Sequence, residues 1–239
     1  MDNAELFNLE PANSNFFIAA HEMKAPLSIV RQLSLTLSNE DIPLSSSDRA
    51  RILSQISATS ERALRLVQDL TKVASLEDAL FEMSPISTRR VCKDIVREMA
   101  DIYRISRKQI VVKKIAKNTP LAYANYDLLR SILLNFSDNA LYSSHKKTKV
   151  EISTYYNKGK IRILVRDYGD EVPLNIWRAI KKEQNKPVKS GSRPESSGLG
   201  LFIAQNFANK MGGKIGLVRH RNGNTFFVEL NKSEQLSLI

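Results

Sequence analysis

Two successive stretches of this 239-residue chain repeat their seam residues at alternating steps of four and three. Phe16, Ala20, Met23, Leu27, Val30, Ser34 and Leu37 form the first seam, with one polar position. Ile52, Ile56, Thr59, Ala63, Leu66, Leu70 and Val73 form the second. A period of about 3.5 residues puts each set on one stripe of an α-helix. The spacing predicts helices over 13–39 and 47–76, joined by the turn-forming stretch 39–47. At a rise of about 1.5 Å per residue, each spans ~40 Å. Pro26 lacks a donor N–H and crowds the preceding turn, so a bend is expected near it. One hairpin of two amphipathic helices cannot hide both apolar faces. A second copy completing a four-helix bundle is the preferred solution; the alternative is cover by helices from the second half of the chain.

The pattern changes after a linker at 77–87 that contains Pro85. Helices are expected at 87–104, 126–143 and 197–211, the last stopped by Gly212-Gly213. Strands are expected at 110–115, 149–156, 160–167, 214–219 and 224–230. Asn157-Lys158-Gly159 and Arg221-Asn222-Gly223 supply hairpin turns. Hairpin-linked strands beside helices predict a mixed sheet with helices on one face. The fold class is therefore α+β, with a helical domain at 13–76, the linker at 77–87 and a second domain at 88–232. Residues 174–197, with Arg178, Lys181, Lys182, Lys186, Lys189, Arg193 and Gly191, have the composition of a long functional loop.

Composition narrows the functional classes. The formal net charge is +11, but the basic pairs Arg89-Arg90, Lys113-Lys114, Lys146-Lys147 and Lys181-Lys182 are dispersed and match no nucleic-acid-reading motif. An acidic protein partner or nucleotide phosphates suit such a surface better. Cys92 is the single cysteine, so no internal disulfide can form, which fits a reducing cytoplasm. No apolar run approaches the ~20 residues of a membrane span. Met1 to Ser14 is polar and acidic, unlike a signal peptide.

Four short motifs carry chemistry. His21-Glu22-Met23-Lys24-Ala25-Pro26-Leu27 puts an imidazole beside the first seam, facing outward, with a carboxylate next to it. The neutral imidazole is a nucleophile near neutral pH, and Glu22 can act as general base for its second ring proton. Asn135 and Asn139 stand four apart, on one face of a predicted helix. Asparagine is a poor helix-interior residue, and its amide oxygen is a neutral ligand of the kind Mg²⁺ accepts. Asp167-Tyr168-Gly169 follows an apolar strand, where a carboxylate can accept a hydrogen bond and a glycine permits close approach. Gly198-Leu199-Gly200-Leu201 opens a helix, where free amides suit phosphates. No Gly-x-x-x-x-Gly-Lys-Ser/Thr loop occurs, nor a His-Arg-Asp or Asp-Phe-Gly set. His145, His220 and Cys92 do not have metal-ligand spacing.

In this order and spacing, the four motifs resemble those of sensor histidine kinases of two-component systems, over roughly 16–230. The resemblance implies a dimeric four-helix bundle followed by a two-layer α/β sandwich of the GHKL type, shared with certain ATP-dependent chaperones and topoisomerases. It implies ATP and Mg²⁺ as cofactors, with His21 as phosphoacceptor. Asn139 would hold the Mg²⁺ and Asn135 support it. Asp167 would accept from the adenine amine, Gly169 would lie close to the ring, and Gly198, Leu199, Gly200 and Leu201 would line the phosphates. Residues 174–197 would be the ATP lid, and 77–87 a hinge. The implied partners are a second copy of the chain and a response-regulator receiver domain. Several positions depart from the family pattern: Ala25 where Thr or Asn is usual, Tyr142 where a basic residue is common, and Glu171 and Ser196 in place of glycines. Ala25 implies weak dephosphorylation of the partner. The lost glycines leave open a non-catalytic, nucleotide-binding scaffold.

Overall fold

The computed structural model describes residues 11–77, 80–113, 115, 119–145, 148–182 and 198–234, with side chains from Met23 onward. Helix α1 (Pro11–Ser38) and helix α2 (Ser46–Ala74) form the expected hairpin. Ser45 caps α2, its Oγ accepting from Asp48 N at 3.1 Å. Pro26 lies inside a helix that is continuous from Pro11 to Ser38. On the α2 seam, Ile52 and Ala63 are buried, while Leu66, Leu70 and Val73 pack against the core of the second domain. The chain's own α3 (Thr88–Ile105) and α6 (Leu199–Lys210) thus cover part of the hairpin. Leu27, Leu35, Leu53, Leu64 and Val67 stay exposed along it.

The second domain has the expected two layers. A five-stranded sheet runs in the order β2 (Gln109–Val112), β4 (Lys149–Asn157), β5 (Lys160–Arg166), β7 (Gly223–Asn231), β6 (Lys214–His220). Only β2–β4 is parallel; the crossover between them carries α4 (Tyr126–Ser143) onto one face. Alternate residues of three strands face the helices and are buried: Val150 and Ile152, then Ile161, Ile163 and Val165, then Phe226, Val228 and Leu230. They meet Ile95 and Met99 of α3, Ile132 and Phe136 of α4, and Phe207 of α6 in one core. The opposite face is polar: Arg162 Nε lies 2.6 Å from Glu229 Oε2 across the β5–β7 register. Cys92 is part of the core, and burial pushes its thiol up to about 12, so it packs rather than reacts.

Turn chemistry sets the hairpins. Lys158 and Gly159 have φ of 47° and 79°, giving the two-residue turn with both φ positive that matches strand twist. In the second hairpin His220 pairs with Gly223, so the turn is Arg221-Asn222 and Gly223 already belongs to β7.

Two expectations are corrected. The segment read as a plain linker contains β1 (Ser84–Ile86), which pairs antiparallel with β3 (Ala122–Ala124). Three-residue strands are too short to show a period, and their partner lies far along the chain. Within the stretch read as a loop, Leu174–Lys181 forms α5, with Ala179 buried and Trp177 and Ile180 packed on the core. The remaining lid positions, 183–197 and with them Ser196, lie outside the described residues, as do Lys146 and Lys147.

Candidate nucleotide site

Helix α4 carries the site. Asn125 caps it, its Oδ1 accepting from Leu128 N at 3.1 Å. Its C-terminal end is held by Lys108, whose Nζ donates to the carbonyls of Leu141 and Ser144 at 2.5 Å each. One face of α4 is embedded in the core, leaving Asn135 and Asn139 half-exposed on the other. Asn135 lies against the first turn of α6: a Cβ on Gly200 would be 3.2 Å from Asn135 Oδ1. Asn135 Nδ2 is buried and makes no hydrogen bond of good geometry among the described residues.

The second part of the site is the turn after β5. Asp167 is fully buried. Its Oδ1 accepts three hydrogen bonds, from Gly169 N at 3.1 Å, Asn224 N at 3.2 Å and Asn224 Nδ2 at 3.3 Å. Its Oδ2 is buried and unpartnered among the described residues. Burial pushes the Asp167 carboxyl above its usual range, partly offset by these hydrogen bonds and by Arg166. An acceptor kept dry and unpaired is costly in a finished core, about 1–3 kcal/mol. It fits a site built to receive an N–H from a ligand.

Asn224 was not singled out from sequence. Besides its two bonds to the Asp167 side chain and a backbone bond from Asp167 N to its carbonyl at 2.9 Å, its Nδ2 donates to Asp170 O at 2.8 Å and its Oδ1 accepts from Val172 N at 2.9 Å. One amide thus clamps residues 167–172 onto β7. The only local cue was an asparagine next to a turn glycine.

Gly169 is required by packing within the protein itself. A Cβ there would lie 1.8 Å from Ser143 O, and Gly169 pairs with Ser144 in an isolated bridge. Its close approach is to the end of α4. Glu171, standing where the family pattern has glycine, ion-pairs with Arg219 of β6. Gly198 opens α6 with φ 79°, and no side chain among the described residues caps that helix. The side chains of Leu199 and Leu201 pack into the core, so any phosphate contact from them is through backbone. Tyr142 is exposed, with the Arg62 guanidinium 4.5 Å from its ring centre.

These pieces converge on α4. Gly200 meets it at Asn135 and Gly169 meets it at Ser143, eight residues apart, with Asn139 midway. The structure therefore brings Asn135, Asn139, Asp167, Gly169, Gly198 and Gly200 to one helix. His21 and Glu22 lie within α1, which touches α6, but their side chains fall outside the described ones.

A two-layer sandwich with an Asn-bearing helix, a dry aspartate after a strand and a glycine-opened helix has the donors, acceptors and open backbone suited to a nucleotide. Residues 124–234 match the family described as histidine kinase-, DNA gyrase B-, and HSP90-like ATPase. The chain is 23% identical over 203 residues to the adaptive-response sensory kinase SasA of Prochlorococcus marinus (strain MIT 9215), covering 84% of this chain and 53% of SasA. It thus spans about half the length of that relative. Among solved structures, full-length ShkA in complex with AMPPNP superposes with a TM-score of 0.62 at 19% identity, covering 94% of this chain and 47% of ShkA. Histidine kinase ThkA in complex with the response regulator TrrA gives 0.61 at 17%, covering 90% and 60%. Residues 124–234 thus match the ATPase family that includes histidine kinases, and over most of its length the chain is similar to sensory kinases. Among the described residues, no helix is long and apolar enough to cross a membrane.

Proposed function

We propose that this chain is an ATP-dependent protein-histidine kinase that phosphorylates His21 and passes the phosphoryl group to an aspartate of a response regulator. The observation that carries this reading is the alignment on α4 of a buried Asp167 acceptor with no partner among the described residues, the Asn135–Asn139 pair and the Gly198–Gly200 helix opening. Asp167 Oδ2 would accept from the adenine amine. The backbone amides that begin α6, with Asn135 and Asn139, would hold the phosphates. Mg²⁺, held through Asn139, would supply neutralisation of phosphate charge.

In the transfer itself, a His21 ring nitrogen attacks the γ-phosphorus, the bond to the bridging β–γ oxygen breaks, and ADP leaves. Glu22 takes the proton from the other ring nitrogen. Receiver aspartate attack on the phosphohistidine then regenerates His21. The ThkA complex supports a response regulator as partner. The exposed Leu27, Leu35, Leu53, Leu64 and Val67 support pairing of two hairpins into a four-helix bundle. A lone, buried, unreactive thiol is compatible with the cytoplasm as the place of action.

The test is incubation with ATP labelled on the γ-phosphate. Acid-labile, base-stable label should appear on wild type and be lost in His21→Ala and Asn139→Ala. Nucleotide binding without any label would instead support the scaffold.

A further inference from the structure

A polar seam joins α2 to α4. Ser131, Asn135, Asp138 and Tyr142 recur at steps of four, three and four along α4, the spacing of one helix stripe. Facing them on α2 are Arg62, Arg65 and Asp69, running in the opposite direction. Ser131 Oγ donates to Asp69 Oδ2 at one end of the seam. In the middle, Arg65 Nη2 lies 3.1 Å from Asp138 Oδ2, with Arg62 Nε 3.6 Å from the same oxygen. At the other end Arg62 lies over the Tyr142 ring. Arg65 also reaches Glu98 of α3 at 4.0 Å. Asp69 and Asp138 are both buried here, at 7% and 6% exposure.

The seam is imperfectly satisfied. Burial pushes the Asp69 carboxyl above its usual range; Ser131, Lys72, Arg65 and, most weakly, the Asn135 amide pull it back. Yet Asn135 Nδ2 achieves no hydrogen bond of good geometry among the described residues. Asn135 therefore stands between two sides: Gly200 on the nucleotide side, and on the hairpin side the stripe positions Ser131 and Asp138 that flank it and are held by Asp69 and Arg65. A buried carboxylate held by Ser131 and an unsatisfied amide one helical turn further along the same stripe are marks of a contact that can be exchanged, since both groups gain from a better partner.

We propose that the Asp69–Ser131 and Arg65–Asp138 contacts form a latch that holds the nucleotide domain against α2, and that Asp69 competes with bound nucleotide for Asn135. Nucleotide binding and hairpin docking then oppose each other. By linkage, whatever weakens the latch tightens nucleotide binding, and nucleotide loosens the latch by the same factor. The latch is intramolecular and releases the domain that must travel to the phosphoacceptor helix. The inference rests on the nucleotide-site reading above.

The experiment measures Mg-ADP affinity by calorimetry for wild type, Asp69→Ala and Arg65→Ala, with Asp167→Asn as the control for the site itself. Denaturation midpoints establish that each variant is folded. The same chains, spin-labelled through cysteines introduced at exposed Gln68 and Tyr155, report the distance between hairpin and domain. Asp69→Ala and Arg65→Ala should each bind Mg-ADP about fivefold more tightly or better. Mg-ADP should broaden the label distances in wild type, whereas in Asp69→Ala they should be broad from the start. Wild-type affinity in both latch variants, with Asp167→Asn impaired, overturns the latch and leaves the site intact. Weaker binding by Asp69→Ala also overturns it, making Asp69 a support of the site. No Mg-ADP binding by wild type removes the nucleotide reading and the latch with it.

Discussion

Substituting Asp167 by Asn separates the folding role of this residue from its binding role. Oδ1 accepts from Gly169 N and from both nitrogens of Asn224, at 3.1–3.3 Å. An asparagine carbonyl oxygen can accept the same three bonds, so the 167–172 loop should keep its shape. The asparagine NH₂ then occupies the position of Oδ2, the oxygen with no partner among the described residues. An acceptor becomes a donor where, under the proposed function, an adenine amine would donate. Losing that bond while leaving two donors facing each other costs about 1–3 kcal/mol, or about 5- to 150-fold in affinity.

Stability should move the other way. Burial raises the Asp167 carboxyl above its ordinary value of 3.8, so the native state holds this proton to higher pH than the unfolded chain does. The stability contributed by that group is complete below 3.8 and falls as pH rises through the native value. Asparagine does not titrate and escapes that loss. The assay is a pair of measurements: Mg-ADP titration by calorimetry, and urea denaturation at several pH values between 3 and 8. The expected variant is as stable as wild type or more so at neutral pH, with a flatter stability–pH curve and weakened binding. Wild-type affinity in Asp167→Asn would refute Oδ2 as the amine acceptor. A variant unable to fold would refute the claim that the Oδ1 bonds carry over.

Two further substitutions test separate parts of the structure. Gly169→Ala places a Cβ 1.8 Å from Ser143 O and must displace the loop; a destabilisation of about 1–3 kcal/mol is expected in urea denaturation, together with weaker nucleotide binding. No change in either would show that the turn is not packed against α4. Leu64→Asp alters a side chain that is 62% exposed in the single chain, so folding of the protomer should be nearly unaffected. If the hairpins pair, the dimer should weaken about tenfold or more in analytical ultracentrifugation; an unaltered association constant would exclude this face from the interface.

Periodicity and turn chemistry determined much of this protein without tertiary information. The four–three repeat on Ile52 to Val73 and the paired asparagines on an apolar helix are local patterns, created by 3.6 residues per turn and readable within one element. The Lys158–Gly159 turn is equally local, because positive φ is a property of the residues that adopt it. The order of the motifs anticipated that α4, the end of β5 and the start of α6 would come together, as Gly200 against Asn135 and Gly169 against Ser143 do.

What only the folded chain decided lies in contacts between distant residues. Asn224 reaches Asp167 across 57 positions, Asp69 reaches Ser131 across 62, and Arg65 reaches Asp138 across 73. No window of sequence contains both members of such a pair. The three-residue strands β1 and β3 carry too few residues for a period and exist because they pair with each other. Helix α5 looked like loop because its polar surroundings hid the apolar face that Trp177, Ala179 and Ile180 present to the core. Gly169 could be recognised as necessary from sequence, but that its neighbour is Ser143 O was a matter of packing. Local backbone preference wrote the elements; burial of side chains from separate elements chose which polar groups ended up face to face.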